Sequence, residues 1–186
     1  MKLCMLAFLL LFLLIPQVHA VDLLTNGDFE EPLSVGWEEM TLGSNTVINR
    51  ATHYNPDPDY EAYAYKGTGD GYARLSQTVD IAGTDVAFAA SAKISASATS
   101  TAWAVASLVI SYRDEGGEML GETSICVRTQ HCMWTNTPTF HMIDAVPGEW
   151  TDYAVNVDEE LANLPGVNPT HVKQIQVSLY AFVDHC

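Results

Sequence analysis

Hydrophobic and polar positions along this chain alternate with a period of two, which predicts strands rather than helices. Residues 72–81 place Ala73, Leu75, Gln77 and Val79 on one face and Tyr72, Arg74, Ser76 and Thr78 on the other. Residues 88–98 alternate small apolar side chains with Ser and Lys, and residues 102–112 run apolar almost without a break. Residues 113–118 read "RDEGGE", a hairpin turn, and 119–127 form the return strand. Residues 150–157 alternate again, and 171–183 make the last and clearest strand. A short β-branched strand is expected at 47–50, and Tyr63 and Tyr65 share a face if their segment is extended. The one helix expected is a turn or two at 158–163, ended by Pro165-Gly166. Evenly spaced alternating strands punctuated by Gly, Pro and Asp predict an all-β fold, an antiparallel β-sandwich.

Face counting then locates candidate chemistry. In the last strand Ile175, Val177, Leu179 and Ala181 point one way, and Gln174, Gln176, Ser178, Tyr180 and Phe182 the other. In 102–112 the core set is Ala104, Ala106, Leu108, Ile110 and Tyr112, with Trp103, Val105, Ser107, Val109 and Ser111 facing away. If these strands share a sheet with 72–81, one outer face carries Tyr72, Arg74, Trp103, Gln176 and Tyr180. Trp134 sits in a polar Thr/Asn/Pro loop, where an aromatic is a stronger functional hint than one inside a strand. Trp37 and Trp150 each follow a turn residue at a strand start and are expected in the core.

The N-terminus changes the picture of where the chain works. Lys2, an apolar run over 3–15, Pro16 and the small residues Val18 and Ala20 read as a secretory signal peptide over residues 1–20. One domain over residues 21–186, outside the cytoplasm, is the expectation, with no membrane insertion. In an oxidising compartment Cys126 and Cys132 suit a local disulfide. A metal site using them with His131 and His141, and free thiols, are the alternatives; Cys186 is left over.

Charge excludes more than it assigns. With 8 Lys+Arg against 23 Asp+Glu the net charge is −15. That disfavours nucleic-acid backbones and anionic membrane surfaces, both of which need a basic footprint. The acidic residues around 57–61 read as a solvated loop. Catalysis finds no support: there is no nucleophile elbow, no His-Glu-x-x-His and no phosphate-cradling glycine loop leading into a helix. A non-enzyme is expected.

The order of short motifs is informative. The chain reads "LLTNGDFEEPL", then Gly36-Trp37, "YKGTGDGYARLSQTVDI", "AFAASAKISA", "SLVISYRDEGGEMLGE" and "PGEWTDYAVNV". This resembles the galactose-binding-like (jelly-roll) β-sandwich superfamily, in particular secreted carbohydrate-binding modules appended to glycoside hydrolases. The resemblance implies a polysaccharide or glycan ligand and a structural calcium ion. Carried over, Glu30 is a calcium ligand, joined by groups of the turn 66–71, including Thr68 and Asp70; oxygen-only ligation is what that hard cation takes. The family usually closes with one more strand after the one corresponding to 171–183; the resemblance thus implies that the sequence is a fragment, that this strand is absent, or that a partner supplies it, and a missing strand would leave a gap or an open sheet edge that invites pairing with another chain. A sugar site needs flat aromatic platforms beside planar hydrogen-bonding groups. The expected glycan-binding residues are therefore Tyr72, Arg74, Trp103, Trp134, Gln176 and Tyr180.

Overall fold

A computed structural model describes residues 22–54, 59–98 and 102–184. The expected signal peptide and Cys186 lie outside the described residues. The strands are β1 (Glu38–Leu42), β2 (Thr46–Ala51), β3 (Glu61–Lys66), β4 (Gly71–Asp80), β5 (Ala87–Lys93), β6 (Trp103–Arg113), β7 (Met119–Arg128), β8 (Phe140–Asp144), β9 (Trp150–Asn156) and β10 (Gln174–Asp184). One short helix, α1 (Val157–Leu161), follows β9. Among the described residues no helix is long and apolar enough to cross a membrane.

Six strands form one sheet in the order β1-β4-β10-β6-β7-β8. All pair antiparallel except β7 and β8, which run parallel. Facing this sheet are two separate pairs, β2-β3 and β5-β9. The β-sandwich is therefore present, with one parallel contact that alternation alone does not reveal.

The apolar sets counted from sequence line the sandwich interior. Leu75, Leu108, Ile110, Tyr112, Ile175 and Val177 belong to one core cluster. Burying side chains of this size is worth roughly 1.5–3 kcal/mol each. Gln77 also points inward, and it is buried because both ends of its amide are used. Its Oε1 accepts from Thr25 N at 2.7 Å and its Nε2 donates to Thr25 O at 2.8 Å. A polar residue in an apolar stripe thus ties the N-terminal segment across the sheet. A buried polar chain runs beside it: Thr123 donates to Glu160 Oε1 at 3.0 Å, Tyr112 shares a hydrogen bond with Thr123, and His141 contacts the same carboxylate.

Local signals acted where expected. In the β6–β7 hairpin Asp114 Oδ1 accepts from Glu118 N at 2.9 Å, and Gly117 takes the left-handed conformation (φ 82°). Asn156 caps α1 by accepting from Glu159 N at 3.1 Å. Three expectations shift. The last strand starts at Gln174, because Asn168 and Pro169 set a 3-10 turn over Pro169–His171. The strand expected over 88–98 ends at Lys93, with only a bridge from Ile94 to Pro147 beyond it. Trp150 is half-buried rather than in the core, whereas Trp37 is buried against Phe29.

Among the described residues the second layer is open between the two small pairs. A cavity of about 1010 Å³ runs between β3 and the stretch 91–98, with Ala104, Ala106 and Leu108 of β6 and Leu179, Ala181 and Val183 of β10 lining its base. Glu61, at the start of β3, lines it too, and neither of its shielded carboxylate oxygens has a hydrogen-bond partner among the described residues.

Candidate functional site

The outer face of the six-stranded sheet brings the expected polar and aromatic residues together. Antiparallel register puts Arg74, Tyr180 and Ser107 in one row, continued by Cys126 on β7. Two residues along, Ser76, Ser178, Val109 and Ser124 form the next row; beyond it lie Thr78, Gln176, Ser111 and Glu122. On the other side of the Arg74 row are Tyr72, Phe182 and Val105. Paired residues in a ladder point to the same face, so one face is aromatic at one end and polar at the other. Tyr72, Arg74, Gln176 and Tyr180 all stand on it, as expected.

The polar end is a fixed network. Arg74 donates from Nε to Ser178 Oγ at 3.0 Å and from Nη2 to Gln176 Oε1 at 2.9 Å. Arg113 reaches the same Gln176 oxygen from Nη2 at 2.8 Å, and Gln176 Nε2 donates to Thr78 Oγ1 at 3.1 Å. Glu122 accepts from Ser111 Oγ at 3.1 Å. Burial pushes the Glu122 carboxyl above the usual carboxylate range, opposed by the Ser111 bond and by the guanidinium groups of Arg74 and Arg113.

The aromatic end is a stack built from two segments. Tyr180 and Phe182 project side by side from β10 with centroids 6.1 Å apart and planes 13° apart. Trp134 lies over both, 6.5 Å from Tyr180 and 6.2 Å from Phe182, and meets Phe140 edge-on at 5.5 Å. Tyr72 is tilted against Tyr180 at 5.9 Å. Arg74 joins the two ends, its guanidinium 5.9 Å from the Tyr180 centroid. Burial pushes the Tyr180 hydroxyl up to about 12, with Arg74 opposing.

The loop carrying Trp134 is anchored on both sides. Arg128 Nη1 donates to Trp134 O at 2.8 Å, and Asn136 Oδ1 accepts from Met142 N at 2.8 Å. A smaller cavity of about 280 Å³ opens here, lined by Arg128, Trp134, Thr135, Asn136, Met142 and Asp144.

Trp103 lies on the same face at its end, paired with Asp184 and half-buried. Counting strand by strand missed Arg113, Glu122, Phe140 and Phe182 as site members. The hairpin turn carried the signal for one of them: closing it brings Glu122 opposite Ser111. The outward set of β6 is also less open than its alternation suggests, since Val105, Ser107, Val109 and Ser111 are all buried.

The Cys126–Cys132 disulfide is not formed; both cysteines are free. Cys126 is fixed in the β7 ladder opposite Ser107 and buried, while Cys132 sits in the following turn, its N–H bonded to Thr129 O at 3.0 Å. Burial pushes the Cys126 thiol up, which disfavours the reactive thiolate. His131, Cys132, Cys126 and His141 do not converge as a metal site: among the described residues no three His, Cys, Asp or Glu do so.

Two of the three implied calcium ligands, Glu30 and Thr68, meet groups of the chain itself. Glu30 is exposed; its Oε1 accepts from Tyr60 N at 3.2 Å, and its carbonyl accepts from Arg50 Nη2 at 3.0 Å. The carbonyl of Thr68, with those of Ser44, Gly67 and Gly69, is turned onto the Lys66 ammonium. Calcium takes about six to eight oxygens, carboxylates among them, whereas these carbonyls already hold a cation belonging to the chain.

No protein-family model and no curated protein sequence matches the chain. Solved structures do, at low identity. One is the enzymatically active domain of tailspike protein 4 of bacteriophage CBA120, at 13% identity and TM-score 0.49, covering 86% of this chain and 19% of that one. A second is a carbohydrate-binding module of the β-sandwich superfamily, at 13% identity and TM-score 0.47, covering 86% of this chain and 59% of that one. A third is the N-terminal part of Clostridium thermocellum endo-1,4-β-D-xylanase 10B complexed with xylohexaose, at 15% identity and TM-score 0.37, covering 84% of this chain and 26% of that one. At these identities the similarity is one of outline, and any assignment of function rests on the residues of the face.

Proposed function

We propose that this chain is a secreted, non-catalytic carbohydrate-binding module that takes a polysaccharide or glycan on the outer face of its six-stranded sheet. The observation that carries this reading is the pairing of an aromatic stack (Trp134, Tyr180, Phe182) with the Arg74–Gln176 network on adjacent strands. Sugar rings have apolar faces edged by hydroxyls. Stacking rings beside planar, pre-oriented donors and acceptors match that pattern, and the polar groups are already held in place before a ligand arrives. Secretion rests on the signal-peptide pattern of residues 1–20.

The test is a polysaccharide array probed with the chain lacking residues 1–20. Binding to one glycan class, abolished in the double variant Trp134→Ala/Tyr180→Ala, is the expected result. No binding from a protein shown to be folded rejects the reading.

A second reading, assembly through strand exchange, is favoured by one feature: the open second layer between β3 and 91–98. Light scattering across a concentration series tests it, and a protein that stays monomeric throughout counts against it.

A further inference from the structure

Two turns meet side by side at one end of the sandwich: residues 43–45, between β1 and β2, and residues 67–70, between β3 and β4. Gly67 N donates to Asn45 O at 2.8 Å, and Asn45 Nδ2 donates to Thr68 O at 3.1 Å. Close approach needs glycine on each side. A Cβ at Gly43 would lie 2.1 Å from Asp70 O, and one at Gly71 would lie 2.0 Å from Leu42 O, with both residues at positive φ. The result is a ring of inward-turned backbone carbonyls.

Lys66 fills that ring. Its ammonium donates to Ser44 O at 3.0 Å, to Gly67 O at 3.1 Å and to Thr68 O at 3.3 Å, and makes its closest contact with Gly69 O. The residue is only 7% exposed. Burying an ammonium is costly unless its donors are met; here three N–H groups face four acceptors.

We propose that Lys66 is the resident cation of this junction: its ammonium takes the place of a structural metal ion, and the fold is independent of free calcium. The donor set favours this. The oxygens of Ser44, Gly67, Thr68 and Gly69 that meet the ammonium are neutral carbonyls, which suit a single positive charge, and a divalent ion in the same ring would meet a covalently tethered charge of like sign. Being part of the chain, the ammonium cannot be lost to dilution or to a chelator. The ring also joins the end of β3 to the start of β4. The inference stands apart from carbohydrate binding and survives or fails without it.

Three measurements test it. Thermal unfolding of the chain lacking residues 1–20 is expected to give the same Tm in excess calcium and in EDTA. A native state that bound calcium would gain roughly 5–10 °C at about a hundredfold excess over Kd, and any reproducible calcium-dependent rise overturns the proposal. In Lys66→Ala the Tm is expected to fall and then to recover in part with added potassium or calcium, a cation response absent from the parent; a Lys66→Ala protein as stable as the parent overturns the proposal. Should that variant fail to fold, the parent still decides. Residues 21–186 contain three lysines, Lys66, Lys93 and Lys173, and NMR of their ammonium protons should show one set, that of Lys66, exchanging slowly with water. All three exchanging at the solvent rate overturns it.

Discussion

The indole of Trp134, carried on a loop, stacks over Tyr180, carried on the central strand β10, with ring planes 14° apart. Trp134→Ala leaves Tyr180 and Phe182 as a platform without its upper ring. Affinity for whichever glycan the array identifies should fall about tenfold or more, roughly 1.4 kcal/mol, read by isothermal titration calorimetry. An unchanged Kd would remove Trp134 from the site.

The same face makes stability depend on pH at both ends. Burial raises the Glu122 carboxyl above its ordinary value of 4.5. The native state then keeps that proton where the unfolded chain has released it. Its contribution is full below the ordinary value and is lost as pH rises through the raised one. Tyr180 behaves alike higher up: its contribution is lost as pH climbs from its ordinary 10.0 through about 12. Urea unfolding across pH should show Glu122→Gln flattening the slope in mildly acidic solution and Tyr180→Phe flattening it in alkali. A parental slope in either variant would contradict the corresponding assignment.

Gln77 secures the N-terminal segment through both ends of one side chain. In Gln77→Ala the backbone N–H and C=O of Thr25 lose their partners, at a cost of about 1–3 kcal/mol. The midpoint of urea unfolding should drop accordingly, and glycan binding should survive. A midpoint equal to that of the parent would show that the segment is held by other contacts.

Because both described cysteines are free, a thiol reagent should distinguish them by burial. Cys132 should react in the folded protein, and Cys126 only after denaturant is added. Mass spectrometry of alkylated peptides provides the readout; equal labelling of both in the native state would contradict the buried position of Cys126.

Much of this was legible from the sequence because β4 and β10 alternate and lie beside one another. Period-two counting places Tyr72, Arg74, Gln176 and Tyr180 on one face, and adjacency in the sheet supplies the rest. What stayed hidden depends on long-range partners. β1 and β8 have little pattern of their own: β1 is exposed along its length, and β8 is placed by parallel pairing with β7. Trp134 could be flagged by its loop, but its seat over Tyr180 depends on Arg128 and Asn136 holding that loop. The carbonyls of the turn 67–69 meet Lys66, whose side chain folds back onto the turn that follows it. No linear motif reports that.

The gap in the second layer has a consequence for handling the protein. Among the described residues β3 and β5 each pair with one neighbour, and part of the core surface beneath the gap is uncovered. Unprotected strand edges are templates for runaway association. What keeps such molecules apart is mutual repulsion, and a net charge of −15 supplies it at neutral pH. That protection disappears as the carboxylates protonate. Acidification should therefore bring on colloidal failure, as filaments or precipitate, before the sandwich itself unfolds.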